Sequence, residues 1–137
     1  MRGTNIEREL NEFFSKYAGD LGSYNAEALA SNYGFPTMTL SSEFAGSVAT
    51  KKELEQTLSQ AFAYYKSFGF ASAKYSIRQV NLISPQILSV RVTWGYYNRN
   101  DEKLVESDYE YVLKKDDGKY KVYVAIAIKD QAKAADL

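Results

Sequence analysis

The residues of this chain that could take part in chemistry are aromatic hydroxyls, amides and carboxylates. The 137 residues include 12 tyrosines and 1 tryptophan, but no histidine and no cysteine. Histidine is the side chain whose ordinary pKa suits proton transfer near neutrality, and it is also the commonest metal ligand. Acid–base catalysis would therefore need an Asp, Glu, Lys or Tyr with a shifted pKa. We expect no metal site and no cofactor, and no catalytic residue can be assigned.

Aromatic side chains recur at helix and strand spacing, so many of them should face one interior. The residues predicted to line a pocket there are Tyr17, Tyr33, Tyr65, Tyr75, Trp94, Tyr109 and Tyr111, with Gln79, Asn81 and Ser107 as a polar minority. An apolar pocket with a few convergent polar groups is typical of small-molecule sites. The alternative is that the same aromatics fill an ordinary core.

Carboxylates fall outside this aromatic interior. The strand pattern places none of them on the inner face, so a buried general base would have to come from Asp20 or Glu43 in predicted loops. Asp108 is predicted on the outer face opposite Arg91, as a cross-strand ion pair of small energetic value. This distribution disfavours acid–base catalysis.

Four segments of the C-terminal half predict a meander of antiparallel strands. Asp117-Gly118 is a dipeptide of tight hairpin turns, and Arg99-Asn100 and Ser84-Pro85 mark two further turns. The pairs predicted on the inner face are Leu113 with Val122, Tyr111 with Val124, Tyr109 with Ile126, Trp94 with Val105, Val92 with Ser107, Val90 with Tyr109, Tyr75 with Trp94 and Ile77 with Val92. A slip by one residue would break this alternation.

The N-terminal half is helical by period. Apolar residues at helix spacing run from Ile6 to Tyr17 and from Leu54 to Tyr65, and a short helix over 26–33 precedes a short strand over 37–41. The predicted fold class is α+β, with three N-terminal helices packed on a curled antiparallel sheet of a four-strand meander plus a short strand. We expect a single domain over residues 1–137, with a core over 4–128 and a flexible tail over 129–137.

Composition excludes several classes of protein. The chain has 17 basic and 17 acidic side chains without a basic block, so it lacks the electrostatic footprint of a nucleic-acid binder. No stretch approaches membrane-spanning length, and the N-terminus does not have the pattern of a signal peptide. We expect a soluble cytoplasmic protein that binds neither nucleic acid nor membrane.

The last predicted strand, over 122–128, is apolar on both faces. Helices would cover only one of them, so the other should meet a second copy of the chain. We expect a homodimer through the sheet, with Val112, Tyr123, Ala125 and Ala127 at the interface and a polar rim of Arg78, Arg91, Asp108 and Glu110. The alternative is that this strand is central or curls over a helix.

Three motifs in this order carry a resemblance to a known family. They are Phe13-Phe-Ser-Lys-Tyr17, Tyr33-Gly-Phe-Pro36 and Tyr111-Val-Leu-Lys-Lys115. Together with the order of elements over residues 5–128, they resemble the nuclear transport factor 2-like superfamily, and within it an uncharacterised bacterial subgroup. The resemblance implies a cone-shaped, cystatin-like α+β fold with a pocket between helices and sheet, and dimerisation through the sheet as in many members.

The same superfamily includes ketosteroid-isomerase-like enzymes, polyketide cyclases of the SnoaL-like type and scytalone dehydratases. Tyr17 and Asp108 are the loose counterparts of the isomerase's tyrosine and aspartate, and Phe13 aligns at least as well as Tyr17. The aspartate–histidine chemistry of the cyclases and dehydratases does not transfer to a chain without histidine. The subgroup often has a histidine after the last strand, where this chain has Ile128.

Three functions therefore stay open. The favoured one is a small domain that binds a small apolar or aromatic ligand in its aromatic pocket. The second is a dimeric accessory or interaction domain with a filled core. The third is a cofactor-free isomerase, dehydratase or cyclase, which fold analogy alone does not promote.

Overall fold

A computed structural model describes the backbone of residues 2–130 and the side chains of residues 5–128. Its helices are α1 (Arg2–Gly22), α2 (Ala26–Ala30) and α3 (Lys51–Ser67). Its strands are β1 (Tyr33–Ser41), β2 (Phe44–Val48), β3 (Ser72–Ser84), β4 (Ile87–Tyr97), β5 (Lys103–Asp116) and β6 (Lys119–Asp130). The prediction of an α+β fold with three helices packed on a curled sheet is confirmed.

The six strands form one unclosed sheet in the order β2-β1-β6-β5-β4-β3. The meander of β3 to β6 is antiparallel, as predicted. Two features at the other edge of the sheet were not predicted. β1 pairs with β6 in parallel, and it starts at Tyr33, where a continuation of the second helix was predicted. The unpredicted strand β2 forms a hairpin with β1.

The inner face of the sheet, which the helices cover, carries the core. Helix α1 buries Leu10, Phe14, Tyr17 and Leu21 at the spacing of one helix face. The buried side chains that meet them from the sheet are Leu88, Val90, Val92, Trp94, Tyr111, Leu113 and Val122. Burying one large apolar side chain contributes roughly 1.5–3 kcal/mol, so this contact of one helix with three neighbouring strands is a main source of stability.

Register within the meander agrees with prediction at the end of β3 and β4 far from their turn, and next to the β5–β6 turn. Tyr75 pairs with Trp94, Ile77 with Val92 and Leu113 with Val122. A bulge at Tyr123 then shifts β6 by one residue, so Tyr111 pairs with Ala125 and Tyr109 with Ala127. The predicted pairs with Val124 and Ile126 are therefore wrong.

The connection between β4 and β5 is longer than the predicted two-residue turn. Asn98 closes it, because its backbone N–H donates to the Glu102 carbonyl at 2.9 Å and its side-chain oxygen accepts from two backbone N–H groups. The register moves by two residues, so each side chain keeps its predicted face. Trp94 therefore lies opposite Ser107, Val92 opposite Tyr109 and Val90 opposite Tyr111.

A second bulge, at Arg78, changes the faces of β3. Beyond it Gln79 pairs with Arg91 and Asn81 with Ser89, both of them on the outer face of the sheet. The prediction that Gln79 and Asn81 are polar groups of the interior is wrong, because the extra residue reverses the alternation. Of that polar minority, Ser107 alone is on the inner face.

The C-terminal strand extends beyond its predicted end. β6 continues to Asp130, whose backbone pairs with Ser107, so residues 129 and 130 belong to the sheet rather than to a tail. The rest of the predicted tail, residues 131–137, lies outside the described residues. None of the helices in the described part of the chain is both long and apolar enough to span a membrane.

Candidate functional site

An open groove of about 560 Å³ lies between the C-terminal half of α3 and the β4–β5 hairpin. We call it the aromatic groove. The described residues that line it are Ala61, Tyr64, Tyr65, Phe68, Tyr96, Leu104, Val105, Ser107 and Tyr109. Two of them, Tyr65 and Tyr109, belong to the predicted pocket set.

Capping residues and helix spacing in the sequence determine where α3 begins and ends and which of its residues line the groove. Thr50 caps α3, because its side-chain oxygen accepts from the Glu53 N–H at 3.2 Å while Glu53 accepts from the Ala49 N–H at 3.1 Å. The groove residues of the helix then recur at positions i, i+3 and i+4 from Ala61. The helix ends before Gly69, whose φ of +87° is a conformation that glycine adopts without strain.

Strand alternation places the opposite wall. Tyr96 is two residues after Trp94, so it points to the same inner face of β4. On β5 the inner positions are Val105, Ser107 and Tyr109, again at a spacing of two. The ring of Tyr109 stacks on that of Tyr111, with centroids 5.6 Å apart and an interplanar angle of 8°.

Two tyrosines of the groove, Tyr65 and Tyr96, are neutral hydrogen-bonding groups. Burial is the main cause that raises the pKa of Tyr65, and it raises that of Tyr96 well above the ordinary value. Their rings are in contact, with centroids 5.8 Å apart. Both hydroxyls therefore keep their protons across the physiological pH range, so they can donate and accept hydrogen bonds but do not act as bases there.

The interior around Trp94 is closed. The indole is 1 % exposed, and the rings of Phe14, Tyr17 and Tyr75 surround it at centroid distances of 6.2, 5.4 and 6.2 Å. Its Nε1–H donates to the Tyr111 hydroxyl at 2.8 Å. The prediction that these residues line an open cavity is thereby corrected, because their own rings occupy the space.

Two further tyrosines of the predicted set are tied to other parts of the fold. The Tyr33 hydroxyl lies 2.6 Å from that of Tyr17, and burial raises the pKa of Tyr33 to about 12. Tyr75 lies between β3 and α1, where its hydroxyl donates to the Asn11 side-chain oxygen at 2.8 Å. Two of the seven predicted pocket residues, Tyr65 and Tyr109, therefore line the aromatic groove. The other five belong to the closed interior around Trp94 or to its edge.

Asp20, Glu43 and Asp108 are not among the residues that line the groove. Asp20 is on α1, where Lys16 Nζ approaches it to 2.7 Å and the Asn32 amide to 3.0 Å. Glu43 is exposed in the turn between β1 and β2. Asp108 is on the outer face, as predicted, but it accepts from Thr93 at 2.7 Å rather than facing Arg91.

The described lining of the groove carries no charged side chain. Asp130 is the backbone partner of Ser107 at this end of the sheet, and its side chain is outside the described part of the chain. Nor do three or more Asp or Glu side chains gather into a possible metal site anywhere among residues 5–128. The groove can therefore stack aromatic rings and exchange neutral hydrogen bonds.

The outer face of the sheet, opposite the helices, has an apolar centre. Val112 pairs with Val124, while Ile128 and Met38 are 38 % and 40 % exposed. Ile126 is on the same face. Along the margin, Arg91 Nε lies 2.6 Å from Glu110, and Arg78 donates to Thr93 at 3.0 Å. The predicted rim residues are therefore all on this face.

Two of the predicted interface residues are wrong because of the bulge at Tyr123. Ala125 is buried in the core and Ala127 pairs with Tyr109, so both are on the inner face. Tyr123 itself packs on Gly34, where an added Cβ would lie 2.2 Å from the ring. The glycine of the Tyr33-Gly-Phe-Pro36 motif thus makes room for this aromatic side chain.

Several groove residues were not predicted. They are Ala61, Tyr64, Phe68, Tyr96, Leu104 and Val105. A signal for Tyr96 was available, because the alternation through Val92 and Trp94 continues to it. Signals exist for two more, because Ala61 belongs to the apolar stripe from Leu54 to Tyr65 and Val105 is predicted on the inner face. Tyr64, Phe68 and Leu104 lie outside both patterns.

Comparison with known proteins identifies relatives by family and by fold. A family model described as "NTF2-like protein (DUF6841)" matches residues 8–130. No curated protein matches the chain.

Solved structures share the fold at low sequence identity. A domain of unknown function with a cystatin-like fold from Nostoc punctiforme is 16 % identical, with a TM-score of 0.72 over 95 % of this chain and 83 % of its own. An NTF-2-like protein of unknown function from Shewanella oneidensis MR-1 is 11 % identical, with a TM-score of 0.71 over 90 % and 99 %. A ketosteroid isomerase-like protein from Erwinia carotovora atroseptica is 14 % identical, with a TM-score of 0.66 over 89 % and 94 %.

Proposed function

The chain belongs to this NTF2-like family (DUF6841), and from that premise we propose that it is a domain that binds a small, uncharged, apolar or aromatic molecule in the aromatic groove. One observation carries the proposal. The groove is open, measures about 560 Å³, and is lined by nine described residues of which four are tyrosines and none is charged.

The dimensions and composition of the groove suit such a ligand. Small-molecule sites usually measure about 300–1,000 Å³ and combine apolar walls with a few polar groups. A flat ligand would gain stacking contacts worth about 0.5–1.5 kcal/mol for each aromatic pair in addition to the burial of its surface. A charged ligand would lose hydration without meeting an opposite charge among the described lining residues.

The state of two hydroxyls in the groove favours binding over catalysis. An isomerase, dehydratase or cyclase needs a group that takes up a proton near neutral pH. Tyr65 and Tyr96 have raised pKa values, chiefly because they are buried, and so keep their protons there. Neutral donors can orient a ligand without transforming it.

A substitution that fills the groove tests the proposal. We expect Ala61→Trp to abolish the fluorescence that Nile red, an uncharged flat dye, gains on binding. Ala63→Trp is the matched control, because it adds the same ring to the exposed side of the same helix. Equal dye binding by the two variants, with circular dichroism showing both folded, would refute a ligand site in the groove.

A second role rests on the outer face of the sheet. We propose that Val112, Tyr123, Val124, Ile126 and Ile128 form the interface of a homodimer. A self-complementary surface is what a two-fold interface requires. The margin supports a second copy as the partner, because Arg78 and Arg91 lie beside Asp108 and Glu110, so charges of both signs can meet their opposites across the axis.

Solution mass tests the dimer. We expect Val124→Arg to give a folded monomer by light scattering, since it places a charge at the apolar centre of the outer face. Leu82→Arg is the control, because Leu82 is 48 % exposed beside α1, away from this face. A mass unchanged by Val124→Arg would refute the interface.

A further inference from the structure

The two edges of the sheet differ in length and protection. β2 is an edge strand of five residues, whereas β3 forms the other edge with 13 residues, and one side of its backbone has no strand partner in the described part of the chain. Proteins usually protect such edges by short strands, charges, bulges or proline. β3 has Lys74 and a bulge at Arg78, but the regular segment from Gln79 to Leu82 carries neither a charge nor a proline.

An apolar groove of about 800 Å³ lies beside this edge, and we call it the edge groove. The described residues that line it are Ile6, Glu7, Leu10 and Asn11 of α1 with Ile77, Val80 and Leu82 of β3. Val80 pairs with Val90 and Leu82 with Leu88, so both point to the inner face. They are 40 % and 48 % exposed, whereas their partners on β4 are 0 % and 1 % exposed. The cover that α1 gives to β4 therefore does not extend over the edge of the sheet.

An edge strand next to a helix is an arrangement that can accept an extended peptide. In this mode the peptide adds a strand to the sheet through main-chain hydrogen bonds, and its alternate side chains enter pockets beside that strand. The edge groove offers both parts. Val80 and Leu82 are two residues apart on the free strand, while Ile6 and Leu10 are one turn apart on α1. Apolar side chains at alternate positions of a peptide would meet these four residues.

The charges of the edge strand indicate the chemistry of the partner. β3 carries Lys74 and Arg78 and no acidic residue. Both point to the outer face, where Lys74 approaches Asp101 to 3.0 Å and Arg78 donates to the Thr93 hydroxyl at 3.0 Å. A second copy that paired its own β3 with this edge would bring the same two cations to the junction, and like charges on facing strands are destabilising. A segment with a carboxylate on its outer face is complementary.

We propose that the edge of β3 binds an extended segment of another protein as a seventh strand, with apolar side chains at alternate positions in the edge groove and an acidic side chain near Arg78. The segment covers Val80 and Leu82 and pairs with the free side of the β3 backbone. The edge groove shares no described lining residue with the aromatic groove, so the two sites are separate.

A blocked peptide of alternating valine tests the added strand. Acetyl-Val-Glu-Val-Thr-Val-Thr-amide is titrated into the protein and followed by NMR. Alternate N–H groups of an added strand point to β3, and the others point to solvent. We therefore expect N-methylation of the three valines and N-methylation of the other three residues to differ. One form should bind at least about tenfold more weakly than the parent peptide, because it loses its hydrogen bonds to β3, and the other should stay within about twofold.

Amide hydrogen exchange shows where the peptide pairs. We expect exchange to slow in β3 on peptide binding and to stay unchanged in β2. Equal affinities of the two methylated forms, or no binding of the parent peptide at millimolar concentration, would overturn strand addition.

Substitutions on the two edge strands locate the site. We expect Val80→Lys to weaken the peptide at least about tenfold, because it places a charge where an apolar side chain should bind. Phe44→Lys is the matched control, since Phe44 is 60 % exposed on β2, the opposite edge strand. Circular dichroism checks that both variants are folded. Equal weakening would refute the edge groove, and a solution mass that falls in Val80→Lys would show that a second copy, rather than another protein, covers the edge.

Exchange of charge tests the acidic side chain. We expect acetyl-Val-Lys-Val-Thr-Val-Thr-amide to bind the wild-type protein about three- to tenfold more weakly than the glutamate peptide, because a like-charge pair replaces an opposite-charge pair. Arg78→Glu should reverse the order of the two peptides. An order that is unchanged in this variant would overturn the preference for an acidic segment at Arg78.

Discussion

The closed interior around Trp94 and the aromatic groove are two regions of one sheet face that use tyrosine differently. Over the closed interior, α1 places Phe14 and Tyr17 on the strands, and hydroxyls such as those of Tyr17 and Tyr33 bond to each other. Over the groove, α3 ends at Ser67 and leaves Tyr64 exposed at the mouth. Helix cover, rather than residue type, therefore decides whether a tyrosine fills a core or lines a site.

Alkaline pH should produce the largest difference between Tyr17 of the closed interior and Tyr65 of the aromatic groove. Burial is the main cause that raises the pKa of Tyr17 and Tyr111 well above 10.0, and it raises that of Tyr33 to about 12. The folded state therefore holds these protons more tightly than the unfolded state. Their contribution to stability is fully present below about pH 10, the ordinary value, and is lost as the pH rises through the folded values.

We expect the free energy of unfolding, measured by urea denaturation, to be level up to about pH 10. It should then fall toward pH 12 by about 1.4 kcal/mol per pH unit for each such tyrosine. Tyr17→Phe should flatten this fall more than Tyr65→Phe, because the pKa of Tyr17 is raised well above its ordinary value. An identical fall in both variants would show that Tyr17 and Tyr65 hold their protons equally tightly.

Truncation of the tryptophan should produce the next largest effect. Trp94→Ala removes the ring at the centre of the closed interior, and we expect it to lower the free energy of unfolding by about 3–5 kcal/mol. Leu104→Ala at the mouth of the groove is the control, and should cost less than about 1 kcal/mol because Leu104 is already 36 % exposed. Similar losses in urea denaturation would show that the two regions are equally packed.

Removal of one hydroxyl should produce the smallest effect. Tyr111→Phe leaves the buried Trp94 Nε1–H without its acceptor, which should cost about 1–3 kcal/mol. Tyr64→Phe deletes a hydroxyl in the exposed mouth and should change stability by no more than about 0.5 kcal/mol. Thermal unfolding followed by circular dichroism measures both, and a Tyr111→Phe protein as stable as the wild type would mean that the indole finds another partner.

Periodicity in the sequence is sufficient to predict most of the helices and strands and the buried face of most of them. Two apolar stripes at helix spacing predicted α1 and α3, and alternation predicted the four strands of the meander, because both patterns follow from which side of an element is buried. The inward positions of Trp94, Tyr109 and Tyr111 were predicted correctly in this way. Strand β2 was missed, since five residues around Gly46 carry little alternation.

The candidate site could not be predicted in full, because it depends on single-residue irregularities and on open space. The bulge at Arg78 reverses the faces of the residues that follow it in β3, and the bulge at Tyr123 reverses those of residues 124–127, up to a further register shift at Ile128. No residue type in either segment marks the change. Whether Trp94 borders a cavity depends on how closely Phe14 and Tyr75 approach it, which is a matter of three-dimensional packing. The sequence shows which rings turn inward but not how much room they leave.

The extra residue at Tyr123 has a consequence for how this sheet could change over evolution. Deleting one codon there would exchange the two sides of the end of β6, sending Val124 and Ile126 into the core and Ala125 outward. A single-codon deletion would thus replace branched apolar side chains on the outer face with alanine. It would also overpack the core, because the branched side chains would enter it. The number of residues at this point of β6 is therefore constrained by packing on both faces of the sheet.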